Sequence, residues 1–177
     1  MNPPEVDAAM NTFRILVDSR EHQTKQAEER YEMFGVPYSR ATLSYGDYCG
    51  TVTLPDRELH DTSGTIRAPC VIERKMSLDE LAGCLGRSRE RFEREFQRAR
   101  DESAKIYLLT ENGSWEAIMN HRYKSRLSPK AFFASLTAWA VRYDMTPLFC
   151  RSGVSGKLIK EILYRDMKER LQRGEYG

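Results

Sequence analysis

The sequence has few of the residues that build zinc sites or disulfide frameworks. Its 177 residues include only four cysteines and three histidines, and these are scattered along the chain without metal-ligand spacing. This scarcity argues against a structural zinc site and against a disulfide-stapled secreted fold. It favours a reduced, cytosolic setting.

Long apolar runs and a large excess of one charge are also missing. No segment is apolar for long enough to span a membrane, and the N-terminus lacks a basic-then-apolar signal pattern. The net charge of +2 excludes a polybasic DNA coat, so any contact with nucleic acid has to come from locally clustered arginines. We therefore expect a soluble, cytoplasmic protein, or a nuclear one in a eukaryotic host.

What the chain does have is an alternation of strand-like and helix-like segments. Its 40% hydrophobic content is enough for the core of one compact domain. The alternation predicts an α/β fold with a central mixed sheet flanked by helices. Strands are predicted at residues 13–17, 38–48, 71–75, 105–110 and 147–150, and helices at 24–34, 77–100, 158–171 and from 129 onward.

The predicted domain organisation has three parts. Residues 1–12 form a flexible leader, because Pro3-Pro4 opposes regular structure. Residues 13–177 form a single domain. Within it, residues 50–69 mix Thr, Val and Leu with turn residues and are predicted to form an inserted β-hairpin or loop.

The most informative triplet is Glu73-Arg74-Lys75, at the end of a predicted strand. Side chains two apart on a strand share a face, so Glu73 and Lys75 project together and Arg74 faces away. A carboxylate beside an ammonium suits phosphodiester hydrolysis, in which the acid holds a metal and the lysine acts on water or phosphate. The alternative is an ion pair on an edge strand.

Two further acidic positions favour a metal site over a simple ion pair. Asp47 follows Gly46 at the end of an extended stretch, where the chain can turn and expose a carboxylate. A second carboxylate beside Glu73 would make an oxygen-rich site for Mg²⁺ or Mn²⁺. Asp18 closes the first strand, at the sheet edge where α/β folds place ligands, although it could also pair with Arg20 or cap a helix.

Together these segments resemble the nuclease domain of the XPF-type structure-specific endonucleases, which include the archaeal Hef nuclease. The resemblance rests on the strings ILVDSRE, GDY, VIERKMSLDEL and RSRERFEREFQRAR, in that order. It implies a restriction-endonuclease-like core and metal-dependent cleavage of branched or flapped DNA. The matching positions are Asp18, Arg20, Glu21, Asp47, Glu73, Arg74, Lys75 and Asp79.

The resemblance also implies roles for the acids. Asp47 and Glu73 would hold the principal Mg²⁺ or Mn²⁺, and Asp18 and Glu21 would complete the acidic cluster. Asp79 has two interpretations, because any carboxylate is favoured in the first turn of a helix. It is either part of the site or structural.

The cations have implied roles as well. Lys75 would act on the attacking water or the scissile phosphate, whereas Arg20 and Arg74 would contact phosphate or brace the carboxylates. In the arginine-rich segment that follows, glutamates three or four residues away should pair with about half of the arginines. The candidates for DNA phosphate contacts are Arg87, Arg89 and Arg91.

Two features set the chain apart from this family. The link between Asp47 and Glu73 is long, and no room remains for a tandem helix-hairpin-helix domain, so we expect a stand-alone nuclease. A homodimer or a partner protein would then supply substrate specificity.

An apolar stripe fits either the core or such a dimer interface, and contains Phe132, Leu136, Trp139 and Tyr143. The alternative function is an inactive DNA-binding or dimerisation module of the same fold.

Overall fold

The computed structural model describes residues 1–54, 58–59 and 69–175. In this part of the chain a mixed sheet lies between two layers of helices. The helices are α1 (Pro3–Met10), α2 (Lys25–Glu32), α3 (Leu78–Leu85), α4 (Arg89–Asp101), α5 (Trp115–Met119), α6 (Pro129–Arg142) and α7 (Ser152–Arg173). The strands are β1 (Arg14–Asp18), β2 (Tyr38–Ala41), β3 (Tyr48–Thr53), β4 (Glu58–Leu59), β5 (Cys70–Lys75), β6 (Lys105–Glu111) and β7 (Met145–Cys150).

The sheet has the strand order β2-β1-β3-β5-β6-β7, with β4 paired to the end of β3. Strands β5, β6 and β7 run parallel, and β3 is antiparallel to both of its neighbours, β1 and β5. Strand β2 lies parallel to β1 at the edge. The predicted α/β fold with a central mixed sheet is therefore confirmed.

Alternate residues of the central strands enter two separate cores. Leu16 and Val71 belong to the core beneath α3, α4 and α6, on what we call the α4 face. Their neighbours Ile15 and Ile72 belong to the core beneath α1, α2 and α7, on the α7 face. Because side chains alternate along a strand, each strand residue is committed to one face.

Several helices begin at the residues that the sequence predicts. The Ser128 side chain accepts a hydrogen bond from the Ala131 backbone N–H, and a proline follows at the first helical position. Ser77 caps α3 in the same way through Glu80. These caps satisfy backbone donors that the first helical turn leaves unpaired.

The first residues differ from the expected flexible leader. Pro3 and Pro4 stand in the first turn of α1, where a proline lacks only an N–H that has no helical partner. Asn2 and Glu5 complete a reciprocal capping box at this end. Val6 and other apolar residues of α1 are buried in the core of the α7 face, and this burial holds the helix in place.

The single helix expected over residues 77–100 is two helices. Helix α3 ends at Leu85, and the chain turns through Gly86 before α4 begins at Arg89. Gly86 has φ −105° and ψ −99°, which is incompatible with a continuous helix. The turn lets Leu85 and Phe92 both enter the core of the α4 face. Helix α5 has no counterpart in the sequence prediction.

The expected insertion at residues 50–69 begins later than predicted, because β3 continues to Thr53. Residues Gly50 and Thr51 belong to β3, in the middle of the sheet, where they pair with Ile15 and Arg14 of β1. Strand β4 pairs antiparallel with the end of β3, as in a hairpin. The remainder of the predicted hairpin, at residues 55–57 and 60–68, lies outside the described residues.

The apolar stripe along α6 and its C-cap Tyr143 lies in the core. All four of its residues are buried, with Trp139 at the centre of a cluster of aromatic rings that includes Phe92 and Phe96. Among the helices described, none is both long enough and apolar enough to cross a membrane.

Candidate active site

Three carboxylates lie side by side across three neighbouring strands. The Asp18 backbone N–H donates to the Asp47 carbonyl (2.8 Å), and the Asp47 N–H donates to the Ile72 carbonyl (2.8 Å). The pairings of Val17 with Tyr48 and of Tyr48 with Ile72 place the next residues, Asp18, Asp47 and Glu73, in one row. Since cross-strand neighbours share a face, all three project from the α4 face.

Gly46 makes this row possible. Its φ of +71° lies in the left-handed region that favours glycine. A Cβ atom at this position would lie 2.8 Å from the Val71 Cβ and 2.9 Å from its Cγ2. The chain can therefore turn tightly over β5 and deliver Asp47 beside Glu73 only when residue 46 has no side chain.

Lys75 lies next to Glu73, as the strand periodicity predicts. Its Nζ donates to Glu73 Oε1 at 2.5 Å and lies 5.1 Å from the centre of the Phe92 ring. Its side chain is 11% exposed, and that of Glu73 is 6% exposed. The site is thus a largely buried pair of acids with one ammonium, closed on one side by α4.

Burial and mutual interaction shift the pKa values of Asp47, Glu73 and Lys75. Burial raises the pKa of Asp47 well above its usual value, and the nearby Glu73 carboxylate raises it further. The pKa of Glu73 is raised by burial too, with Lys75 opposing the rise. Burial alone would lower the pKa of Lys75, but Glu73 and Asp47 outweigh burial, and the net shift is upward. Both acids therefore interact with the single Lys75 ammonium.

Asp18 is engaged mainly with Arg20. Arg20 Nε donates to Asp18 Oδ2 at 2.7 Å, and the Arg20 backbone N–H donates to Oδ1 at 3.2 Å. The Asp18 hydrogen bond is the main reason that the pKa of Arg20 is raised. The Arg20 side chain remains 58% exposed, so Asp18 holds a guanidinium group at the edge of the site.

Arg74 points to the α7 face and joins a buried network of charged and polar groups. Its Nη1 donates to Glu111 Oε2 (3.2 Å), and its Nη2 lies 3.6 Å from Glu21 Oε2. The other Glu111 oxygen accepts from Arg30 Nε (3.3 Å). The hydroxyl of Tyr48 accepts from Arg30 Nη1 (3.1 Å) and donates to Glu21 (3.2 Å).

This network connects to the acids through the backbone of β5. The Arg74 N–H donates to Asp47 Oδ2 at 2.7 Å, so the residue whose side chain anchors below the sheet also orients the carboxylate above it. Glu21 is directed toward Arg74 and Tyr48 in this network. The structure therefore does not bring Glu21 into the row of Asp18, Asp47 and Glu73.

Four residues of the site escaped the sequence prediction: Arg30, Tyr48, Glu95 and Glu111. Glu111 ends a strand as Asp18 does, and Arg30 recurs with the apolar spacing of Ala27 and Phe34, so both left a signal in the sequence. Glu95 had none, because it resembles any glutamate of a solvated helix. Its Oε1 accepts from the Gly46 N–H at 3.3 Å, and it contributes to the raised pKa of Glu73.

The donor set suits a hard divalent cation with few protein ligands. Among the described residues, no group of three or more His, Cys, Asp or Glu side chains is arranged to hold a metal ion. Asp47 and Glu73 form a close pair of acids, of which Glu73 is buried and Asp47 half-buried. Mg²⁺ is commonly held by one or two carboxylates while it keeps several waters, so a pair of acids fits it.

Asp79 lies apart from this pair and holds a loop. Its Oδ1 accepts hydrogen bonds from the backbone N–H groups of Lys124 (2.7 Å) and Ser125 (2.8 Å). Of the two interpretations of Asp79, the geometry favours the structural one, because an oxygen that accepts two amide protons is positioned for them.

The three candidate DNA-binding arginines have different surroundings. Arg87 is exposed in the turn between α3 and α4. Arg91 is exposed on α4 and, with Lys75, opposes the rise that burial causes in the pKa of Cys84. Arg89 instead packs over Trp139 (5.6 Å) and contacts Glu93 and Ser135, so it joins α4 to α6.

The mixed sheet between two helical layers is the fold of the XPF nuclease domain. The chain belongs to the ERCC4 domain family, a family of nucleases, because the sequence profile of the ERCC4 domain matches residues 17–162. The resemblance that the sequence motifs suggest is thereby confirmed. No curated protein sequence matches the chain.

Two solved structures show the shared fold. XPF from Aeropyrum pernix superposes with a TM-score of 0.61 at 19% identity, and the match covers 92% of this chain and 69% of that one. XPF from Aeropyrum pernix in a complex with DNA gives a TM-score of 0.60 at 20% identity, with 89% and 66% of the two chains covered.

Proposed function

We propose that this protein is a metal-dependent DNA endonuclease that hydrolyses phosphodiester bonds at branched, flapped or forked DNA. The observation that carries the proposal is the side-by-side placement of Asp47 and Glu73 with Lys75 beside them, on one face of the sheet. A buried and a half-buried acid that repel each other lower the stability of a fold, and carboxylates in such surroundings cluster at functional sites. Membership of a nuclease family and the DNA-bound structure of a protein with the same fold support the choice of substrate.

Asp47 and Glu73 would hold Mg²⁺ or Mn²⁺, which would supply Lewis-acid stabilisation of the charge on the phosphate and a more acidic water. The chain's own groups do the rest. The Arg74 N–H fixes the orientation of Asp47, and Glu73 holds the Lys75 ammonium where it can donate to a phosphate oxygen. Arg20, held by Asp18 and largely exposed, can reach a neighbouring phosphate.

The choice of DNA structure depends on surfaces other than Asp47 and Glu73. A second copy of the chain or another protein would select branched over linear DNA, as expected for a nuclease domain whose chemistry requires only a phosphodiester. The inactive binding module is the competing function. The paired carboxylates of Asp47 and Glu73 favour the enzyme, because DNA binding alone gains nothing from two neighbouring negative charges.

The test is cleavage of end-labelled flap, fork, duplex and single-stranded DNA with Mg²⁺ or Mn²⁺. The wild type should cut at least one branched substrate faster than linear duplex. The variants Asp47→Asn, Glu73→Gln and Lys75→Met should each lose at least about 100-fold in rate while remaining folded, since each removes a group that acts in the transition state.

Glu29→Gln is the matched control, because Glu29 is an exposed acid of α2 on the opposite side of the sheet. It should cleave as the wild type does. Wild-type protein that binds DNA but cuts none of the four substrates with either metal would favour the inactive module. Full activity of Asp47→Asn would refute the site.

A further inference from the structure

A groove lies along α3, and neither Asp47 nor Glu73 lines it. It has a volume of about 860 Å³ and is lined by residues of α3, of the turn after it and of the loop between α5 and α6: Asp79, Ala82, Gly83, Gly86, Arg87, Lys124, Ser125, Arg126 and Leu127. The groove is wide and open, and its two sides come from segments that are about 40 residues apart in the sequence.

The charge of this groove is positive and unneutralised. Three cations line it, Arg87, Lys124 and Arg126, against the single carboxylate of Asp79. The three cations are exposed, and no acid of the residues described by the structure forms an ion pair with any of them. Unpaired exposed cations on both sides of one groove favour an anionic occupant.

The loop that carries two of these cations is held rigidly. Asp79 Oδ1 accepts from the N–H groups of Lys124 and Ser125, and the Tyr123 hydroxyl donates to the Leu127 carbonyl at 2.7 Å. The His121 ring contacts the Ser125 carbonyl at 3.0 Å. The two N–H groups also offset part of the negative charge on the Asp79 carboxylate.

The floor of the groove admits a close approach of a polymer backbone. Gly83 lines it, and a Cβ atom built at Gly83 would meet nothing within 4 Å, so the surface there is open. Asp79, which lines the groove, stands in the first turn of α3, and α3 follows directly after β5. The groove therefore begins near the end of β5 that carries Glu73 and Lys75.

We propose that this groove binds the phosphate backbone of the DNA strand that extends from the cleavage site, with Arg87, Lys124 and Arg126 as its phosphate contacts. Asp79 is then a positioning residue, which holds Lys124 and its neighbours in place for the DNA. The inference rests on the proposed function and deepens it, because it assigns a surface for the substrate outside the acids.

The test uses Lys124→Gln/Arg126→Gln and a fluorescein-labelled fork. Binding is measured in chelator by anisotropy at several salt concentrations, and cleavage is measured in Mn²⁺ with enzyme in excess. The dissociation constant should rise by about tenfold, and the slope of log K against log salt should become shallower by about 1–2, as expected for the loss of two phosphate contacts. The defect in cleavage should disappear when enzyme saturates the DNA.

The matched control is Lys157→Gln/Arg165→Gln, which removes two cations from α7 on the other side of the sheet. It should bind as the wild type does. If Lys124→Gln/Arg126→Gln binds the fork with wild-type affinity, the proposal that the groove binds DNA is wrong. It is also wrong if this variant keeps its affinity but cleaves more slowly than the wild type when enzyme saturates the DNA. If wild-type protein binds the fork without cutting it, the proposed function fails, yet weaker binding by this variant would still support the groove.

Two variants of Asp79 distinguish a positioning role from a catalytic one. In Asp79→Asn an amide oxygen can still accept the two N–H groups, whereas Asp79→Ala cannot. Asp79→Asn should therefore retain affinity and cleavage, and Asp79→Ala should weaken binding while its rate at saturation stays near that of Asp79→Asn. A loss of cleavage in Asp79→Asn as large as that in Asp47→Asn would assign Asp79 to the acids and overturn its positioning role.

Discussion

Lys75 shows how single residues divide the work of the site. Its ammonium donates to Glu73 and rests against the Phe92 ring, so it is held on two sides. A protonated lysine is a donor with no lone pair to accept a proton from water. Of the two roles that the sequence leaves open for Lys75, water or phosphate, its ion pair with Glu73 favours contact with a phosphate oxygen.

Glu111 is the residue on which the buried network depends. Each of its oxygens meets a different arginine, Arg30 or Arg74, and all three side chains are largely buried. We predict that Glu111→Gln lowers the free energy of unfolding by about 3–5 kcal/mol, because it removes the carboxylate that pairs with the buried Arg30 and leaves Arg74 with Glu21 alone. Chemical denaturation measures the change.

The control for that prediction is Glu161→Gln, in which the exposed Glu161 loses its ion pair with the half-buried Lys160. Exposed pairs contribute at most about 1 kcal/mol, so the expected loss is small. Equal losses in the two variants would show that Glu111 does not balance the buried arginines.

At the scale of elements, the close contact of α2 with α7 positions the network. A Cβ atom at Gly156 of α7 would lie 2.3 Å from the Arg30 carbonyl oxygen and 2.7 Å from the Met33 Cβ. These atoms belong to α2 and to its C-cap residue, and they cannot move without the helix. The absence of a side chain at residue 156 therefore sets how deeply the Arg30 side chain reaches beneath the sheet.

Gly156→Ala should destabilise the fold by about 1–3 kcal/mol, because the two helices have to separate. Gly153→Ala is the matched control, since a Cβ atom there meets nothing within 4 Å, and its expected effect is a gain of up to about 1 kcal/mol from helix propensity. Thermal and chemical denaturation of both variants test this. Equal changes of the same sign would contradict it.

Local signals explain which elements could be predicted from the sequence. Caps such as Ser77 and Ser128, and the alternation that sets Glu73 and Lys75 apart from Arg74, act within a few residues. The helix α1 is missed although its capping box and first-turn proline are local signals, because two adjacent prolines predict the absence of regular structure. The break at Gly86 is missed because it serves the core, which takes in both Leu85 and Phe92. The partnership of Arg30 with Glu111 joins residues 81 apart, which no local pattern encodes.

For the whole molecule, a cation held by Asp47 and Glu73 would couple metal binding to stability. A ligand that binds only the folded state adds about 2.7 kcal/mol at 100 times its dissociation constant. We predict that Mn²⁺ raises the melting temperature of the wild type, and that Asp47→Asn and Glu73→Gln lose this increase. Differential scanning fluorimetry with a metal titration measures it.

In chelator the two variants should differ from each other. Asp47→Asn removes a repelled charge and keeps an oxygen for the Arg74 N–H, so it should melt at or above the wild-type temperature. Glu73→Gln leaves the Lys75 ammonium without its partner and should melt below it. A wild-type response to Mn²⁺ in both variants would refute metal binding at these acids.

The alternation along β5 also bears on how such a chain can evolve. Glu73 and Arg74 are neighbours in sequence but belong to opposite sides of the sheet, one to the acids and the other to the arginine network. Deleting a single residue from this strand would exchange the two sets, whereas a substitution would disturb only one. Changes in length should therefore be purged from β5 far more stringently than changes in its residues.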